Sequence, residues 1–85
     1  MMPKHELKAL LDQGFPGDTI QLDNPQGDGE HYQLLIVSER FQGKSLVEQH
    51  QLVYAALGDA MRSAVHALAL KTYSPAQWAK AQARG

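Results

Sequence analysis

Eighty-five residues, 44% of them hydrophobic, leave room for one small domain with a single core and are too apolar for a disordered chain. Eight basic against nine acidic side chains give a formal net charge of -1, which excludes a strongly basic nucleic-acid module, so any such binding must come from a local patch. Zero cysteines exclude disulfides and thiol catalysis.

The first predicted element is a helix. Pro3 suits a first helical position, Leu7, Leu10 and Leu11 share one face, and Gly14 is expected to stop it. Thr19 to Asp23 alternates, with Ile20 and Leu22 facing one way, and predicts a short strand. The composition of Asn24-Pro25-Gln26-Gly27-Asp28-Gly29 predicts a turn. His31 to Ser38 follows as a second strand, apolar on both faces towards its end and therefore central in the sheet. A loop then closes with Gly43.

Ser45 and Glu48 have the spacing of a capping box. They open a long helix with a predicted stripe at Leu46, His50, Val53, Leu57, Met61 and Ala64, and with Gly58 inside it. Strand three is expected from about Val65 to Thr72, with His66, Leu68 and Leu70 on one face. Ser74, Pro75 and Gln77 repeat the cap logic for a last helix, which Trp78 is expected to pin to the body. The order is αββαβα, an α+β domain with a three-stranded mixed sheet and its helices mainly on one face.

Topology adds a prediction about chemistry. A short loop makes strands one and two antiparallel, and an intervening helix makes strands two and three parallel through a right-handed crossover. Parallel strands begin at the same end of the sheet. His31 opens strand two and His66 opens strand three, so both imidazoles are expected at one edge, with backbones about 5 Å apart if the two strands are direct neighbours. Metal ligation by the pair is then geometrically open to the chain.

The residues that carry this pattern resemble the BolA family. The match runs from His31-Tyr32 through Val37-Ser38, Phe41-x-Gly43, Gln49-His50-Gln51, Val53-Tyr54, Leu57 and His66-Ala67-Leu68 to Thr72-Tyr73-Ser74-Pro75 and Trp78, so residues 1–85 read as a single BolA-like domain. The resemblance implies a fold similar to a class II KH domain. It also implies partnership with a monothiol, CGFS-type glutaredoxin and a bridging [2Fe-2S] cluster shared with that partner and glutathione, in iron-sulfur trafficking or iron homeostasis. No cofactor is expected in the isolated chain, which would be a monomer or weak homodimer. Some relatives are described as stress-responsive regulators of morphology and transcription.

In the family, the histidine of the His-Ala-Leu segment is a cluster ligand, and it maps onto His66. A second ligand, histidine or cysteine, comes from the loop between strands one and two. Here that loop has no cysteine, and it offers His31 at its end and Asp28, a harder donor less suited to an iron-sulfur cluster. Without the resemblance, His66 would read as a strand-start histidine bonded to a nearby loop. For His31, ligation and simple solvation stand side by side. His50 reads as a structural histidine on the helix stripe, His5 as solvated, and Asp28 as turn support.

Phe41-Gln42-Gly43-Lys44 invites comparison with the Gly-x-x-Gly clamp of KH domains, but Leu46 stands where the second glycine would be. Gln49 and Gln51 also stand where relatives often carry arginines. Arg40 and Lys44 remain in reach of phosphate, and two charges give little affinity at physiological salt. No nucleophile-base spacing or phosphate-binding glycine motif is present, so no enzyme is expected. Neither a membrane span nor a secretory signal is expected: no apolar run nears the roughly 20 residues a bilayer crossing needs, and Lys4, His5, Glu6 and Lys8 precede no apolar core. The simplest location is cytoplasmic, with a processed organelle protein as the alternative.

Overall fold

The computed structural model describes residues 4–25, 27, 31–60 and 67–83. Helix α1 spans Lys4–Gly14 and buries Leu7 and Leu11, one turn apart, with Leu10 packed beside them. Lys8 pairs with Asp12 at 2.8 Å on the solvent side, an exposed contact contributing only a few tenths of a kcal/mol. α1 ends at Gly14 as expected, but not because glycine permits a left-handed cap, since its φ is not positive. A Cβ there would lie 2.7 Å from the Cβ of Ala56, so glycine is required by the close approach of two helices.

Strands β1 (Thr19–Asp23), β2 (His31–Val37) and β3 (Ala67–Tyr73) form one sheet in the order β1-β2-β3. β1 and β2 are antiparallel and β2 and β3 parallel, with β2 central as its two-sided apolar pattern requires. β3 begins at Ala67 rather than Val65, and residues 61–66 lie outside the described residues. Alternation decides the two faces. Leu22, Tyr32, Leu34, Ile36 and Thr72 are buried on the helix-covered side, while Gln21, Asp23, Gln33, Ala69 and Lys71 face solvent.

Between β2 and the next helix the loop contains a single 3-10 turn, Glu39–Phe41. Its cap is Ser38, whose hydroxyl accepts from the Arg40 N–H at 3.1 Å. The turn drives Phe41 fully into the core, where its ring meets Phe15 at 5.4 Å between centroids.

Helix α2 spans Leu46–Leu57 and opens with both arms of the expected capping box. The Glu48 N–H donates to Ser45 Oγ at 3.2 Å, and the Ser45 N–H donates to Glu48 Oε1 at 2.9 Å. Two features of α2 correct the sequence reading. The helix stops before Gly58, whose φ of 56° and ψ of -132° break the helical path inside the expected long helix, and Ala60 is helical again beyond the break. Met61 and Ala64 lie outside the described residues. The buried face is Gln49, Val53 and Leu57, whereas Leu46 is 62% exposed. Val53 and Leu57 face inward as expected, while in the first turn and a half of the helix Gln49 takes the buried place expected of Leu46 and His50.

Helix α3 spans Pro75–Ala83, with Ser74 as cap and Gln77 closing the reciprocal bond. The Trp78 ring lies 5.2 Å from that of Tyr73 and fixes α3 to the end of β3, as expected. Among the described residues no helix is long and apolar enough to cross a membrane.

Candidate metal-sharing rim

The parallel register sets His31 of β2 opposite Ala67, the first residue of β3. His66 lies outside the described residues, and in the sequence it directly precedes Ala67. The two strands thus start at the same end of the sheet, about 4.8 Å apart. His31 is half-buried there. Asp28 also lies outside the described residues. Among the described residues no three His, Cys, Asp or Glu side chains come together in a way that could hold a metal ion.

The other candidate residues are held elsewhere. The Arg40 guanidinium sits 4.7 Å over the Phe15 ring, and its Nη1 donates to the Gly14 carbonyl. That ties the 3-10 turn to the end of α1. Lys44 is exposed, and together with the Ser45 bonds its charge holds the Glu48 carboxyl below the usual carboxylate range; the Ser45 backbone N–H is the largest cause. His50 is half-buried beside Tyr54, edge to face at 6.3 Å, and its buried Nε2 has no hydrogen-bond partner among the described residues. His5 is exposed on α1.

Sequence reasoning missed Gln49. It is 2% exposed, and its amide is the centre of a buried polar network. Nε2 lies within hydrogen-bonding distance of the Phe41 carbonyl at 3.3 Å, the Lys44 carbonyl at 3.1 Å and Gln77 Oε1 at 3.3 Å. Oε1 accepts from the Thr72 hydroxyl at 2.6 Å. With two hydrogens for three acceptors, the amide satisfies two partners at a time. One side chain thereby joins the 41–44 loop, α2, β3 and α3. The signal was present in the spacing: Gln49 precedes Val53 by four residues and Leu57 by eight, so it belongs to their face. The Ser38 N–H donates to the Tyr73 carbonyl at 3.0 Å and completes the anchorage of the C-terminal end of β3.

A family model described as BolA-like protein matches residues 16–77. BolA-like protein 1 of Mus musculus is 35% identical over 79 residues, covering 85% of this chain and 58% of that protein. The chain thus spans somewhat over half the length of these BolA-like protein 1 relatives. The acid stress protein IbaG of Escherichia coli is 34% identical over 80 residues, covering 93% of this chain and 92% of IbaG. The E. coli protein called DNA-binding transcriptional regulator BolA is 37% identical over 54 residues, which is 64% of this chain and 51% of that protein.

Solved structures agree with the fold. The solution structure of BolA1 from Mus musculus matches with a TM-score of 0.80 and 32% identity, over 96% of this chain and 73% of that one. The BolA domain of SufE1 from Arabidopsis thaliana gives 0.75 and 32%, over 89% and 98%. Yeast Fra2 gives 0.76 and 25%, over 93% and 86%. The family match over most of the chain and the shared αββαβα architecture lead to one conclusion: this chain belongs to the BolA family.

Proposed function

We propose that the chain is a non-enzymatic adaptor that binds a monothiol, CGFS-type glutaredoxin and shares a bridging [2Fe-2S] cluster with it through His66 and His31. The observation that carries this reading is the parallel register of His31 with Ala67, the residue next to His66 in the chain. The donor chemistry fits a shared cluster better than an owned one. The chain has no cysteine, so thiolates must come from a partner's cysteine and glutathione, while imidazoles from this chain complete the set. When bound, such a cluster supplies a one-electron centre whose potential rises as imidazole replaces thiolate. The protein's part is to hold neutral imidazoles at one rim, so sharing weakens on acidification. The likeness to Fra2 and to the BolA domain built into SufE1 supports a role beside other proteins.

The second reading is a KH-like DNA-binding regulator of stress response and morphology, and it rests on the E. coli relative of that name. Against it stands Arg40, whose guanidinium is occupied by Phe15 and the Gly14 carbonyl. Mixing the chain with a cluster-loaded monothiol glutaredoxin and titrating duplex DNA at two salt concentrations separates the readings. New visible absorbance and circular dichroism without DNA retention support the adaptor. Sequence-selective DNA binding with no spectral change supports the regulator and removes the adaptor.

A further inference from the structure

α1 and β1 flank an open cleft of about 520 Å³ lined by Lys4, His5, Lys8, Ile20 and Leu22. β1 stands at the end of the sheet order, and among the described residues no strand pairs with its outer side. In an antiparallel ladder every second residue turns both N–H and C=O away from its partner, so a strand of this length offers on the order of four outward backbone groups. Edge strands are usually blunted by proline, bulges or inward-pointing charges. β1 has none of these: its one charge, Asp23, is at the last position on the solvent face. Half-buried Ile20 leaves apolar surface in the cleft. Above it, Lys4 and Lys8 stand one helical turn apart on either side of His5. Lys8 is paired with Asp12, whereas among the described residues Lys4 and His5 have no ion-pair or hydrogen-bond partner.

We propose that this cleft is a strand-addition site for an extended segment of a partner protein that presents carboxylates and small apolar side chains at alternate positions on one face. Main-chain bonds to β1 supply pairing, Ile20 and Leu22 receive the apolar side chains, and Lys4, His5 and Lys8 select acidic residues. The site is separate from the histidine rim and stands or falls independently of it.

The test uses the 15N-labelled chain and an acetylated nine-residue peptide with Glu, Val, Glu and Val at alternate positions and Thr between them and at both ends. Saturable shifts are expected at the amides of Thr19–Asp23 and α1, with slowed hydrogen exchange at the outward amides of β1. The Lys4→Glu, Lys8→Glu double variant should bind about tenfold more weakly and regain affinity for the peptide with Lys in place of Glu, a rescue that a misfolded variant cannot give. The proposal is overturned by no saturable shift at about 1 mM peptide, by shifts confined to other elements, or by equal binding of the Lys peptide to the wild-type chain. Broadening of the same amides with chain concentration alone would also overturn it, since a second copy would then be the occupant.

Discussion

The Thr72 hydroxyl donates to Gln49 Oε1 at 2.6 Å, joining the C-terminal end of β3 to the buried face of α2. Both residues are nearly inaccessible to solvent, so neither has water to fall back on. Gln49→Leu keeps the volume, orphans the Thr72 hydroxyl and takes a donor from the Lys44 carbonyl, while the Phe41 carbonyl keeps the Lys44 N–H. The expected cost is about 2–4 kcal/mol. Urea unfolding of the single variants and of the Gln49→Leu, Thr72→Val pair measures it, and the pair should cost less than the sum of its parts. Strict additivity would remove the hydrogen bond from the account.

Gly14 faces Ala56 with no room for a methyl group, the would-be Cβ lying 2.7 Å from that of Ala56. Gly14→Ala should destabilise the chain by about 1–3 kcal/mol even though alanine is the better helix former. Adding Ala56→Gly should recover part of the loss. If thermal melts show Gly14→Ala to be neutral or stabilising, the two helices are not in close contact.

The capping box sets a pH dependence. The Glu48 pKa is lowered, chiefly by the Ser45 backbone N–H. A carboxyl with a depressed folded pKa adds stability above its unfolded value, and the contribution disappears as pH falls through the folded value. Glu48→Gln should therefore flatten the decline in stability below about pH 4.5 while keeping most of the helix. Ser45→Ala should cost about 0.5–2 kcal/mol at neutral pH. Identical acid titrations for wild type and Glu48→Gln would show that Glu48 carries no folding linkage.

The elements whose signals are local were legible in the sequence. Ser45 with Glu48, and Ser74 with Gln77, announce their helices through side chains that bond amides three residues away. The strand directions followed from loop length and the helical crossover, and the central place of β2 from its two-sided apolar pattern, which together placed His31 at the start of a strand parallel to β3. Features that depend on two distant segments were not legible. Gly14 looked like a helix stop because the helix that crowds it is some forty residues away in the chain. Leu46 looked like core because it lies seven residues before Val53, but at its own turn the helix faces the body with a glutamine, Gln49. Gln49 was not singled out because the carbonyls that satisfy it belong to a loop, not to a motif.

The central claim is that His31 and His66 present imidazoles at one rim to a metal centre held by another protein. Its most direct test is the visible circular dichroism of the chain mixed with a cluster-loaded monothiol glutaredoxin, comparing wild type with His31→Ala and His66→Ala. The account predicts a new spectrum for wild type, a lost or strongly weakened one for His66→Ala, and an altered one for His31→Ala, with all three chains equally folded in the far ultraviolet. Superimposable spectra and equal cluster retention for the three chains would contradict it.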